Sequence, residues 1–331
     1  SDWLLLLGRR ISRRQRRLVR SKHSDLKFRS VRRSRLLSFE RLEDRTLLSA
    51  PNPFDLSTLN GTNGFRLDGI DADDTAGISV FAAGDVNGDG FADLIVGAFG
   101  ADPGGPGNTQ EGETYVVFGK ASGFASAIDL STLNGTNGFR LDGIDPGDFS
   151  GVSVSGAGDV NGDGFDDLII GAFHADSGAG ESYVVFGKAS GFTSTFDLSS
   201  LDGANGFRLS GIDPFDYSGT SVSGAGDVNG DGFADLIVGA FWSVSNLARR
   251  GETYVVFGKA IGFTATFDFA TLDGTNGFRL DGIDAYDLSG HSVSGAGDIN
   301  GDGLDDLIIG AEYGDPGAHD GQQRRHQNAP I

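Results

Sequence analysis

The nine-residue stretch Asp85-Val86-Asn87-Gly88-Asp89-Gly90-Phe91-Ala92-Asp93 constrains this chain more than any other, because it recurs. It returns at Asp159 to Asp167, Asp227 to Asp235 and Asp298 to Asp306, with starts 74, 68 and 71 residues apart. Each copy carries side-chain oxygens at its first, third, fifth and ninth places and Gly at its sixth. An apolar run follows each one, Leu-Ile-Val-Gly-Ala or Leu-Ile-Ile-Gly-Ala. Such a period marks a tandem array, in which one supersecondary unit is repeated and buries its apolar surface against its neighbours.

Each unit holds the same short strand signals. In the second they are Asn137 to Asp142, Gly151 to Gly156 with alternating apolar and small polar residues, Asp167 to Ala172, and Glu181 to Gly187. Four short strands with Gly-rich turns and no helical stripe predict an all-β chain of four-stranded propeller blades. The runs Leu94-Ile95-Val96 and Leu168-Ile169-Ile170 are continuous, as in a strand covered on both faces. An inner strand packed between two blades meets that condition.

The acidic loop has the chemistry of a hard-cation site. Ca²⁺ takes six to eight oxygens, and a nine-residue loop supplies them by curling around the ion. Gly90, Gly164, Gly232 and Gly303 permit the sharp turn. The candidate ligands are Asp85, Asn87, Asp89, the Phe91 carbonyl and Asp93 in the first loop. They are Asp159, Asn161, Asp163, the Phe165 carbonyl and Asp167 in the second. The third set is Asp227, Asn229, Asp231, the Phe233 carbonyl and Asp235. The fourth is Asp298, Asn300, Asp302, the Leu304 carbonyl and Asp306. That gives one Ca²⁺ per repeat and up to four in all. A helical calcium loop needs an acid at the twelfth place; Val96, Ile170, Val238 and Ile309 stand there. The competing reading is a metal-free Asn-Gly or Asp-Gly hairpin turn. The modest charge count predicts weak affinity, about 10⁻⁴–10⁻³ M, as in extracellular modules.

Charge divides the 331 residues. Residues 1–50 hold 15 Lys/Arg against 5 Asp/Glu, which leaves 11 against 41 for residues 51–331. The first segment reads as a disordered, processed basic leader. Its apolar run Trp3 to Leu7 is too short to span a bilayer. The acidic body argues against nucleic acid, which binds cationic surface. With no Cys, the chain has no disulfide, thiolate metal site or Cys nucleophile.

The repeats resemble the FG-GAP repeats of integrin alpha-subunit propellers and related bacterial surface proteins over roughly residues 54–315. Ser150 to Val154, Asp159 to Gly164, Leu168 to Ala172 and Tyr183 to Phe186 carry the resemblance, with Phe173 where the family has Pro. It implies a Ca²⁺ loop between the first two strands of a blade, and a fourth, outer strand just before the next blade's first strand. Leu42 to Leu48 is similar to a short Leu-Glu-x-Arg-x-Leu-Leu export motif of bacterial surface proteins, with Asp44 in place of Pro. The implied location is extracellular or at the cell surface.

The domain reading is a leader at 1–50, propeller repeats at 51–315 and an unlike tail at 316–331. The repeats run approximately 54–127, 128–195, 196–266 and 267–315. By the family's strand order, residues 63–67 form an orphan outer strand available to close the last blade, which has no Tyr-Val-Val-Phe third strand. Integrin-type propellers have seven blades, so the chain reads as a truncated, frame-shifted or partial propeller, an open arc. The alternative is a closed four-bladed ring. Missing blades would come from a longer chain or from self-association.

Residues that break the repeat are the candidates for recognition. On the rim opposite the acidic loops these are Trp242, Arg249 and Arg250 in one loop, and Phe215, Tyr217 and Tyr286 in the loops joining blades. Packing between blades is the competing role for the aromatics. No nucleophile elbow, phosphate loop or zinc motif occurs, and the paired carboxylates recur in every repeat, so no enzyme is expected. The functional expectation is a calcium-binding surface module for adhesion or for recognition of a protein or glycan. The alternatives are a purely structural repeat module and the non-catalytic propeller of a larger secreted hydrolase.

Overall fold

The structure, a computed structural model, describes residues 55–103, 109–245 and 248–314. The chain divides into two units, Ser1–Phe54 and Asp55–Ile331. The basic leader with its export motif and the 316–331 tail lie outside the described residues.

Each apolar repeat becomes an antiparallel blade. The first runs Ser79–Gly84, Asp93–Ala98, Glu113–Val117 and Gly138–Asp142, paired in that order. The second is Ser153–Gly158, Asp167–Ala172, Glu181–Val185 and Gly206–Ser210. The third is Ser221–Gly226, Asp235–Ala240, Glu252–Val256 and Gly277–Asp281. A fourth pair, Ser289–Gly297 with Asp306–Ala311, begins the last blade. The outer strand of each complete blade precedes the next blade's inner strand, as the resemblance implied. The chain is thus all-β and propeller-like, without closure among the described residues.

Every inner strand ends in a register shift, at Ala82/Gly84, Gly156/Gly158, Gly224/Gly226 and Gly295/Gly297. Gly84, Gly158 and Gly226 there have φ of 81°, 72° and 75°. A bulge glycine in the left-handed region bends the strand and aims the residues after it. Those residues are the acidic loop.

A fifth strand was not foreseen. Thr195–Asp197 pairs in parallel with the outer strand of the first blade, and Thr266–Asp268 with that of the second. Each then turns into a short 3₁₀ helix capped by its last Asp: Asp197 accepts from Ser199 N and Asp268 from Ala270 N. The turn delivers Leu198 or Phe269 into the core. An Asp followed by Leu or Phe recurs at this place in the repeats, at Asp55-Leu56, Asp129-Leu130, Asp197-Leu198 and Asp268-Phe269.

The orphan strand pairs in the same way, in the place an outer strand takes beside the following blade, and among the described residues it pairs with no strand of the last blade. Arg66–Asp68 pairs in parallel with Ala127–Asp129, as the outer strands of the first two blades do with their fifth strands. Among the described residues no strand pairing closes the ring.

The core is a series of layers between blades. Ile95, Val116, Phe139 and Leu141 of the first blade pack with Leu168, Ile170, Tyr183 and Val185 of the second. The opposite face of the second blade, with Ile169, Val184 and Phe207, packs with Leu236, Val238 and Tyr254 of the third. Both faces of Leu168-Ile169-Ile170 are therefore buried, as the unbroken apolar run predicted.

Candidate metal centre and the opposite rim

The acidic loops join the first and second strands of each blade and are wound by their own side chains. In the first loop the Asp89 N–H donates to both Asp85 Oδ1 (3.0 Å) and Asn87 Oδ1 (2.8 Å). Gly90 N donates to Asp85 Oδ2 at 2.8 Å and Phe91 N to Asp89 Oδ1 at 2.9 Å. One N–H thus gathers the oxygens of the first and third places, and the fifth is held by the next turn. The same bonds recur in the second loop, the third and the fourth. Such side-chain-to-backbone turns are what Asp and Asn favour where the chain must curl.

The ninth place differs from the others. Asp93 is buried, and its carboxylate accepts from Val86 N at 3.0 Å and from Gly119 N, beyond the third strand, at 2.7 Å. Asp167 and Asp235 make the same bridges to Gly187 and Gly258. Each ties its loop to the end of the third strand. Burial pushes the Asp93 and Asp235 carboxyls up to about 6 and that of Asp167 to about 8, and the charges at the first and fifth places add to the rise. In the last blade, Asp306 keeps the first of these bonds, from Ile299 N at 2.9 Å, and also accepts from the Asn300 amide.

Among the described residues no three acidic or histidine side chains converge closely enough to hold a metal as they stand. The donor set nevertheless fits a hard cation. It consists of oxygens alone, and a carboxylate has about four acceptor positions, of which these turns use one to three. Asp85, Asn87, Asp89 and Asp93 and their counterparts would hold the ion.

Two sets of residues escaped the sequence reading. Asp166, at the eighth place of its loop, reaches back to the preceding blade and accepts from Asp85 N at 2.7 Å; Asp305 does the same for Asp227 N at 2.8 Å. Only their alternation with Ala92 and Ala234 hinted at a role outside the loop. The second set is a repeated staple of third to outer strand. Glu181, buried, accepts from Tyr183 Oη at 2.8 Å and pairs with Arg208 at 3.1 Å. Glu113 and Tyr115 hydrogen-bond likewise, with Arg140 at 3.1 Å from Glu113. Glu252, Tyr254 and Arg279 repeat the arrangement. Burial raises Glu113 and Glu181, while the tyrosine hydroxyl and the arginine charge oppose the rise. The signal was Glu-x-Tyr recurring with Phe-Arg-Leu.

On the opposite rim the recognition candidates separate. Arg249 lies over the Trp242 ring at 4.3 Å. Arg250 is structural: Nη1 donates to the Ile283 carbonyl at 2.5 Å. Tyr217 stacks on His174, ring centroids 5.4 Å apart, and belongs to the packing between blades. Phe215 and Tyr286, by contrast, are 61% and 56% exposed. Their φ angles are 70° and 72°, where the second repeat has Gly147 at 84°. A bulky residue in that region costs energy that burial here does not repay.

Radial four-stranded blades, each with an acidic loop on its inner hairpin, define a β-propeller protein. The sequence profile of the FG-GAP repeat matches residues 77–117, 150–185, 218–256 and 289–324, one match per blade. The chain is an FG-GAP repeat protein with a propeller of the integrin alpha-subunit type. It is 30% identical over 242 residues to integrin alpha pat-2 of Caenorhabditis elegans, which covers 70% of this chain and 17% of that protein. It is 30% identical to integrin alpha-4 of Xenopus laevis over 54% of this chain and 16% of that protein. It is also 32% identical to phosphatidylinositol-glycan-specific phospholipase D of Rattus norvegicus over 52% of this chain and 19% of that protein. The chain therefore spans less than a fifth of the length of these relatives.

Proposed function

We propose that this chain is a calcium-binding recognition module of the extracellular or cell-surface kind, in which Ca²⁺ is structural. The observation that carries the reading is the fourfold repetition of one loop winding, in which a single N–H gathers the oxygens of the first and third places. A Ca²⁺ ion at each loop would offset the repulsion among three carboxylates and lock the bulged hairpin between the first two strands. The protein or glycan partner would meet the other rim, where Trp242 with Arg249, and exposed Phe215 and Tyr286, supply aromatic and cationic anchors. Similarity to integrin alpha chains supports adhesion or protein recognition. No helix among the described residues is long and apolar enough to cross a membrane.

Isothermal titration with Ca²⁺, paired with a melting scan, tests the metal. A ligand held only by the native state must raise the melting temperature, so an unchanged transition at saturating Ca²⁺ removes the claim. Loss of partner binding in Trp242→Ala and Arg249→Ala variants, with unchanged Ca²⁺ affinity, is the result expected of the rim. We assign the module no catalysis of its own. The second reading, a non-catalytic propeller carried by a hydrolase, draws on the similarity to the phospholipase D.

A further inference from the structure

We propose that the acid at the eighth place of an acidic loop serves the loop of the preceding blade. Asp166 and Asp305 strengthen Ca²⁺ binding at the first and third loops, and the second loop is the weaker because Ala234 stands in their place. The inference rests on the calcium reading and adds to it a residue that makes the sites unequal.

The backbone sets the same arrangement at each of the three junctions between blades. The eighth-place N–H donates to the first-place carbonyl of the preceding loop: Asp166 N to Asp85 O at 3.2 Å, Ala234 N to Asp159 O at 3.1 Å and Asp305 N to Asp227 O at 3.0 Å. The seventh residue lies over the fourth-place glycine of that same loop, Phe165 over Gly88, Phe233 over Gly162 and Leu304 over Gly230. Two residues of each later blade thus roof the acidic loop of the earlier one. What varies is the eighth side chain. At the first and third loops its carboxylate accepts from the first-place N–H, Asp85 N at 2.7 Å and Asp227 N at 2.8 Å. At the second loop Ala234 offers Asp159 only a methyl group. The bulge glycines make the room: a Cβ on Gly84 or Gly226 would overlap the carboxylate of Asp166 or Asp305, and one on Gly158 would meet the Ala234 methyl.

The eighth side chain is turned away from its own loop. Successive side chains at the start of a strand point to opposite sides. Asp167 is buried within its own blade on Val160 N and Gly187 N, and Asp166 therefore faces the earlier blade. There it touches the backbone of a candidate ligand, Asp85, whose own carboxylate is wound onto Asp89 N and Gly90 N. The first loop thus has a fourth negative charge beside those of Asp85, Asp89 and Asp93. A divalent ion feels that charge twice as strongly as a monovalent one. Asp85 and Asp166 are both half-buried, so water and salt screen it incompletely. Among the described residues no Lys or Arg pairs with Asp166 or Asp305 to cancel it.

Calcium titration of the full 331-residue chain, read by NMR, tests it, because the sixth-place glycines report each loop separately. The probes are the amides of Gly90, Gly164 and Gly232. In the wild type Gly90 and Gly232 should reach half-saturation at a lower Ca²⁺ concentration than Gly164. Asp166→Asn keeps an oxygen acceptor for Asp85 N and removes the charge. It should raise the Gly90 midpoint at least about threefold, and by more than it moves Gly164. Ala234→Asp should lower the Gly164 midpoint by a similar factor. Both shifts should shrink between ~0.05 M and ~0.5 M NaCl, as an electrostatic effect must. A melting scan without Ca²⁺ checks that each variant folds, and the gain expected of Ala234→Asp does not depend on the fold of Asp166→Asn. An unmoved Gly90 midpoint in Asp166→Asn overturns the proposal and leaves the calcium reading standing. So do equal wild-type midpoints, a second loop that Ala234→Asp fails to strengthen, and a larger shift at Gly164 than at Gly90, which would mean that the acid serves its own loop. Wild-type amides that ignore Ca²⁺ altogether remove the calcium reading and this inference with it.

Discussion

Val154 and Val222 are 4% and 5% exposed, whereas Val80, at the same place on an inner strand, is 62% exposed. Ile169 and Ile237 are fully buried, while Ile308 in the same run is 60% exposed. The residues and strand pairings are alike; the neighbour differs. A blade is a thin layer that has no interior of its own, so its apolar side chains are core only where a second blade lies against them. Stability in such an array is the sum of what each unit holds and what each junction adds.

This contrast yields its largest test in the core. Ile169→Ala should cost about 2–5 kcal/mol by urea unfolding, since it opens a cavity between the second and third blades, and Ile308→Ala less than about 0.5 kcal/mol. Equal costs would mean that the end blades are as well covered as the middle ones. Next comes the staple. Arg140→Ala leaves Glu113 buried with the Tyr115 hydroxyl but no opposing charge and should cost roughly 2–3 kcal/mol. Arg66→Ala, whose partner Asp68 is exposed, should cost less than about 0.5 kcal/mol. Loss of the difference would show that Glu113 finds another partner.

The smallest effect is expected from a carboxylate buried at an internal junction. Asp148 is pushed from the ordinary 3.8 up to about 6, chiefly by burial, with Asp145, Glu181 and Glu111 adding. The folded chain then holds a proton that the unfolded chain releases between those values. Stability should fall as pH rises from about 4 to 6 and level off above. Asp148→Asn keeps an acceptor for the Asp145 N–H and should gain roughly 1–2 kcal/mol at pH 7.5, a gain that vanishes below pH 4. Thermal melts of both proteins across pH measure it. A gain that persists in acid would assign the effect to packing.

Much of the architecture was legible in the residues. The period of 74, 68 and 71 residues marked the units, and Leu168-Ile169-Ile170 announced a strand covered on both sides. The Asp-x-Asn-x-Asp-Gly spacing located the hairpin loop. The fifth, parallel strand was hidden because Thr-Phe-Asp is too short to carry a periodic signal. Glu113 and Arg140 lie 27 positions apart, and nothing in either stretch says that they meet.

By itself, the sequence determined what is local and periodic: the blade, its bulge glycine and the winding of the acidic loop, each set by residues a few positions apart. Tertiary structure alone decided what depends on a neighbour. It buried Asp93 against Gly119, sent Asp166 back to the preceding loop, and paired the orphan strand with Ala127–Asp129. It also separated identical apolar residues into core and bare surface. Burial belongs to the space between two elements, and no single stretch of chain encodes that space.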